Sequence, residues 1–350
     1  MNHRLRALAA LVLAAALSQG ALAQAPSASA DGAWTIAVLP DTQMYSLAHP
    51  EVFVRQTEWL AAHKDSHDIR LVLHEGDIVN NNTHPEWMHA RRAMDVLLKA
   101  GLPFVMVPGN HDMGDGGTAN TRRSHFSDYF SAHDLRLAKT SGTFERGRVD
   151  NHWQSFDTPW GPLMVVALEF GPRDAVVDWA KTVIEKHPDH RVLLLTHAYL
   201  YSDGTRYDWA AKGEAQKWNP HSYGVGQDPA GVNDGEELWR KLVEPYPNVV
   251  MTLNGHVLND GAGYLCSERA GAPAVHQILA NYQQGIDNAR AFGGGGFLRL
   301  MRFQPDGRSV EIKTFSPWFD ESMTDPAHQF TLQLDAWPNR KPPQSGRCAR

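Results

Sequence analysis

A chain of 350 residues, 42% hydrophobic and 21% charged, has the make-up of a soluble globular protein. That length buries roughly three quarters of the unfolded surface, so a core forms without staples. Ordinary Gly and Pro content (29 and 21) excludes collagen-like and disordered chains, and 33 Lys and Arg against 39 Asp and Glu give no nucleic-acid-binding signature.

The chain opens with Arg4 and Arg6, an uncharged run from Ala7 to Leu17, and small-x-small sites at Ala21-Leu22-Ala23 and Ala23-Gln24-Ala25. These are the parts of a secretory signal peptide over residues 1–25, which predicts a secreted or periplasmic protein. The run is short for a bilayer of about 30 Å, so a retained anchor is disfavoured, and no membrane span is expected after the signal is removed. An oxidising compartment permits Cys266 and Cys348 to pair but does not require it.

From Trp34 onward, short apolar runs alternate with amphipathic stretches. Strands are expected at Trp34 to Pro40, Arg70 to His74 and Phe104 to Val107, with helices at Glu51 to His63 and Glu86 to Lys99 between them. This βαβαβ rhythm implies parallel strands with helices packed outside. His152 to Phe156 and Leu163 to Leu168 flank Pro159-Trp160-Gly161 and read as a hairpin. Helix Asp174 to Lys186, strand Val192 to Thr196, helix Gly235 to Val243 and strand Val249 to Leu253 repeat the alternation. Val275 to Ala280, Phe297 to Phe303, Val310 to Phe315 and Phe330 to Leu334 read as consecutive strands. One α/β domain over 31–335 with two facing sheets fits this order, followed by a polar tail at 336–350. Ser202 to Asn233 is a long aperiodic segment rich in Tyr and Trp, and a loop of that length is commonly functional. Its aromatic residues are read either as a wall for a substrate or as the loop's own small core. His221 within it is a candidate substrate contact and Gly293 to Gly296 a hairpin turn; Asn80 is read either as a partner of a metal-bound water or as a turn residue, with the turn favoured.

Polar residues follow the buried strands repeatedly. Asp41-Thr42-Gln43, Gly76-Asp77, Gly109-Asn110-His111-Asp112, His197 and Gly255-His256 each stand at a strand end. In open α/β sheets those ends converge on one crevice. Carboxylates crowded there without cations repel one another. A divalent metal resolves the conflict, and oxygen with imidazole donors suits Mn, Fe, Zn or Ni.

Asp41-x-Gln43, Gly76-Asp77, Gly109-Asn110-His111-Asp112, His197 and Gly255-His256 resemble, in order, the motif set of the calcineurin-like metallophosphoesterases. The Asp-Thr-Gln opening is similar to that of a secreted bacterial subset. The resemblance implies a four-layer α-β-β-α sandwich with two facing mixed sheets and the metal site at the strand C-terminal ends. It implies two divalent metal ions, with Asp77 bridging, Asp41 on the first, and Asn110, His197 and His256 on the second. His111 is then the acid facing the leaving group, and a bridging hydroxide is the nucleophile. Two departures fall on the first metal: Gln43 stands where His is usual, and Leu258 replaces the second His of Gly-His-x-His. That site keeps Asp41, Asp77 and the Gln43 carbonyl oxygen and is expected to bind more weakly; Asp260 is a speculative substitute.

The expected activity is hydrolysis of a phosphoric ester or anhydride, on a phosphorylated small molecule, lipid or nucleotide, with monoester, diester and pyrophosphate all open. No protein partner is expected. The alternatives are a one-metal hydrolase and a non-catalytic phosphate-ligand binding protein with a degraded first site.

Overall fold

The computed structural model describes residues 32–283 and 291–335. The expected signal peptide and polar tail lie outside the described residues. Among these residues no helix is long and apolar enough to cross a membrane.

In chain order the elements are β1 (Trp34–Leu39), α1 (Gln43–Ala48), α2 (Pro50–Ala62), β2 (Ile69–His74), α3 (His84–Lys99), β3 (Phe104–Met106), α4 (Phe126–Tyr129), β4 (Thr140–Thr143), β5 (His152–Thr158) and β6 (Gly161–Leu168). There follow α5 (Asp174–Glu185), β7 (Arg191–Thr196), α6 (Trp209–Lys212), α7 (Gly235–Leu238), β8 (Val249–Asn254), β9 (Ala262–Arg269), β10 (Ala272–Ala280), β11 (Leu298–Phe303), β12 (Ser309–Ser316), β13 (Glu321–Met323) and β14 (Phe330–Gln333). One sheet runs β13-β12-β11-β1-β2-β3 with β14 also on β12; the other runs β4-β5-β6-β7-β8-β10-β9. Both are mixed. β1, β2 and β3 are parallel, as are β6, β7, β8 and β10, while β11 joins β1 antiparallel and β9 joins β10 antiparallel.

Three apolar interfaces make the expected four layers. Ile36, Leu73, Val165, Leu195, Leu253 and Met301 pack between the sheets. Phe53, Leu60, Trp87 and Met94 hold α2 and α3 against the outer face of the first sheet. Val177, Ile184, Leu238 and Leu242 cover the outer face of the second. Helix α3 begins where Thr83 and Glu86 form a capping box beside Pro85, which satisfies first-turn N–H groups that have no helical partner.

The trailing strands do not form one run. β10 extends the second sheet, whereas β11, β12 and β14 return to the first. Gly293 to Gly296 is not a hairpin turn. All four residues have positive φ, and the buried segment leads into β11, with the Gly296 N–H donating to the Tyr45 hydroxyl (2.9 Å). Cys266 on β9 is disulfide-bonded; Cys348 lies outside the described residues.

Candidate metal centre

Each strand end delivers its polar group to the same edge of the sandwich. After β2 the backbone turns through Gly76 (φ +98°) and Asp77 (φ +48°), and after β8 His256 is at φ +76°. Two non-glycine residues in the left-handed region persist only where surrounding contacts over-determine them, a pattern common at functional sites. The glycines before the polar residues leave room for them. A Cβ on Gly76 would lie 2.7 Å from His197 Nδ1, and Cβ atoms on Gly109 and Gly255 would overlap the carboxylates of Asp77 and Asp41.

At the centre, Asp77, His197 and His256, all buried, bring ligand atoms within 4.8 Å of one another. His197 Nδ1 donates to the Glu75 carbonyl (2.7 Å), and His256 Nε2 donates to the Trp218 carbonyl (2.7 Å). A carbonyl accepts only, so each ring carries its proton on the outer nitrogen. The inner nitrogens, His197 Nε2 and His256 Nδ1, then face each other at 3.2 Å, with Asp77 Oδ2 3.2 Å from the former. Two lone pairs and a carboxylate at that spacing require a cation between them. Without metal a proton takes that place. Asp77 and Asp41 push His197 up to about 9 against the opposing effect of burial, whereas burial and the His197 charge push His256 down to about 3.

The other predicted groups surround this trio. Asp41 accepts the His256 backbone N–H on both oxygens (3.2 Å each) and the Asn281 amide at 2.9 Å. Burial drives its carboxyl up to about 8, with Asp77 adding to the rise and His197 opposing it. Asp77 Oδ1 accepts the His111 N–H (2.9 Å). The half-buried His111 ring donates from Nδ1 to the Asn80 carbonyl (2.9 Å). Asn110 is buried with its Oδ1 unpartnered, and so is the Oε1 of Gln43 on α1. Buried amide oxygens ordinarily find a donor, so these two fit a cation acceptor site.

Residues 35–260 match the family described as calcineurin-like phosphoesterase. The chain belongs to this family. It is also similar to the uncharacterized protein YvnB of Bacillus subtilis (strain 168), with 30% identity over 321 residues; these are 88% of this chain and 22% of that protein. The chain thus spans about a fifth of the length of that relative. Among solved structures it resembles the purple acid phosphatase PPD1 of yellow lupin (12% identity, TM-score 0.49, 88% of this chain and 55% of that one). A dimetal phosphatase from Danio rerio is similar at 12% identity, TM-score 0.48 and 86% and 98% coverage of the two chains.

Against the calcineurin-like motif set, the two departures have structural consequences. Leu258 is exposed, and so is Asp260 two residues on. The side chain bonded to Asp41 is instead that of Asn281, just past β10. Gln43 turns its amide toward Asn80 Oδ1 (3.4 Å), so Asn80 contacts both Gln43 and His111 and is more than a turn residue. His221, the candidate substrate contact in the long loop, has its Nε2 bonded to Glu237 (2.8 Å) and its ring stacked on Trp209.

Sequence reading also missed four residues at the site. Asp112 accepts N–H bonds from Ile78, Val79 and Gly109, tying the β2 and β3 loops together; its place in the Gly-Asn-His-Asp string was the available signal. Phe170 lies against His197 and His256 (5.9 and 5.3 Å between ring centroids) and closes the apolar side. Glu75 is buried with neither carboxyl oxygen partnered; burial pushes its pKa well up, Arg299 opposes and Asp41 adds to the rise. Trp218 carries the carbonyl that accepts from His256 Nε2, a role its side chain does not signal.

Proposed function

We propose that this chain hydrolyses phosphoric ester or anhydride bonds with a dinuclear metal centre at the strand C-terminal ends, and acts outside the cytoplasm. The observation that carries the reading is the trio in which His197 Nε2, His256 Nδ1 and Asp77 Oδ2 meet with both imidazole protons turned outward. Asp77, Asn110, His197 and His256 would hold one cation, and Asp41, Gln43 and Asp77 the other. Bound there, a divalent pair supplies an activated water and neutralises charge on the phosphoryl group.

The chain's own residues supply the rest. Asn281 and the His256 N–H orient Asp41, Asp112 fixes the loop that presents Asp77 and Asn110, and Phe170 excludes water from one side. Asn80 holds the His111 ring through Nδ1, so Nε2 is the nitrogen that, in the imidazolium form, donates to a leaving-group oxygen. Acid catalysis of this type contributes roughly 10²–10⁴ in rate. A phosphorylated small molecule, nucleotide or lipid headgroup is the substrate class.

A one-metal version is favoured by one observation, that among the His, Cys, Asp and Glu side chains of the described residues at this site only Asp77, His197 and His256 have ligand atoms mutually within 4.8 Å. The test is turnover of chromogenic phosphomonoesters and phosphodiesters with added Mn²⁺, alongside metal analysis. Absence of turnover on every phosphorylated compound by metal-saturated protein refutes the hydrolase. Saturation at one ion per chain replaces the dinuclear centre with the one-metal version.

A further inference from the structure

The 202–233 loop lies outside the strand-end motifs, yet it packs the Tyr207 and Tyr223 rings against His256 (6.0 and 6.1 Å between centroids) and hydrogen-bonds it through the Trp218 carbonyl oxygen, which accepts from His256 Nε2. Trp218 has φ +65°, a region where a bulky side chain is an outlier, so its peptide is held in place by its neighbours. The Tyr207 hydroxyl donates to the Lys217 carbonyl (3.0 Å). Asn219, fully buried, donates to Asp234 Oδ2 (3.1 Å) and accepts the His221 N–H (3.0 Å). Asp234 in turn takes the Trp209 N–H (2.7 Å) and caps α7 through the Glu237 N–H, and Glu237 binds His221. His221, Asp234 and Glu237 thus form a trio whose acceptors are engaged with the loop and α7.

We infer that Asn219 is a positioning residue for the metal centre: latched to Asp234, it aims the Trp218 carbonyl, which fixes the proton of His256 on Nε2 and turns Nδ1 toward the cation. This rests on the reading of Asp77, His197 and His256 as a metal site. The physical ground is that a hydrogen bond to the outer nitrogen of a metal-binding imidazole sets its tautomer and ring orientation, and loss of such a partner costs roughly 10–100-fold in metal affinity. The Trp218 side chain has no part in this, because the acceptor is backbone.

The test uses the full chain stripped with chelator and titrated calorimetrically with Zn²⁺, together with cooperative thermal unfolding of the metal-free proteins. Asn219→Ala is expected to weaken the tighter Zn²⁺ site by roughly 10–100-fold and to lower kcat with KM little changed. Trp218→Gly, which retains the carbonyl and suits a positive φ, is expected to lose less affinity than Asn219→Ala. A folded Asn219→Ala protein with wild-type Zn²⁺ affinity overturns the inference, as does the reverse order of the two variants. Nitrogen-15 NMR of the Zn²⁺-loaded wild type needs no variant to fold: His256 protonated on Nε2 is expected, and His256 protonated on Nδ1 overturns it. Failure of the wild type to bind Zn²⁺ would instead remove the metal site itself.

Discussion

Gly76 offers a quantitative check on how the β2 turn makes room for a ligand. In Gly76→Ala the new methyl carbon would lie 2.7 Å from His197 Nδ1 and 2.9 Å from its Cγ, where ordinary contact begins at 3.4 Å. The ring must therefore retreat by about 0.7 Å, the difference between 3.4 and 2.7. It has nowhere free to go, because Nδ1 is bonded to the Glu75 carbonyl and Nε2 faces Asp77 and His256. The methyl also meets the Gly109 backbone at 3.0 Å, and the position has φ +98°. Left-handed backbone costs a non-glycine residue about 1–2 kcal/mol, and overpacking a filled site adds about 1–3 kcal/mol. Misplacing a reacting group by about 1 Å costs on the order of 10² in rate, so a shift of this size in a ligand is expected to lower turnover by roughly ten- to a hundredfold.

The control is Gly271→Ala in the β9–β10 hairpin, at φ +70° with nothing within 4 Å of the added Cβ. It carries the backbone cost alone, about 1–2 kcal/mol, and should leave turnover at the wild-type value. Denaturant unfolding of the metal-free proteins measures the first quantity, and phosphodiester turnover at saturating Mn²⁺ the second. If Gly76→Ala matches Gly271→Ala in stability and the wild type in turnover, the packing of Gly76 against His197 does not matter.

Three further outcomes follow from the same geometry. His111→Ala should lower turnover by roughly 10²–10⁴ while both metals stay bound, and Asp77→Asn should lower metal occupancy as well as rate; metal loss in His111→Ala, measured by elemental analysis, contradicts the assignment of roles. For metal-free protein, Asp41 (raised from 3.8 to about 8) and His197 (raised from 6.5 to about 9) hold protons in the folded state that the unfolded chain has released. Stability therefore falls as pH rises from 6.5 toward 9. Below 6.5 the buried neutral His74, His152 and His256, pushed down to about 3, 4 and 3, pull the other way. Calorimetric melting of chelator-treated protein that is flat or rises over pH 6.5–9 would refute this. Glu75→Gln removes a carboxyl whose ionisation burial opposes, so it should stabilise the metal-free protein more at pH 8 than at pH 5; equal effects at the two pH values would mean that folding does not raise the Glu75 pKa.

What could be read in advance follows the length scale of the signal. Strands β1, β2, β7 and β8 are mainly apolar because nearly all of their residues are buried, and polar strand ends such as Asp41 and His256 stand out against them in one dimension. β4 (Thr-Ser-Gly-Thr) and β13 (Glu-Ser-Met) left no such contrast, since edge strands with exposed faces need no apolar residues. β9 was missed for a similar reason: most of its residues are only half-buried and bear no clean alternation. At the site, ligands next to glycine in ordered motifs were legible, whereas their supports were not. Asn281 reaches Asp41 across 240 positions, and Trp218 reaches His256 through an atom every residue possesses. A backbone carbonyl leaves no trace in side-chain identity. Its importance shows only when the fold bends a tryptophan into a glycine conformation to aim it. The support of a metal centre is therefore the part a sequence conceals most completely, and Asn219 is where substitution can expose it, because its side chain is the nearest one that must be specific for that carbonyl to stay aimed.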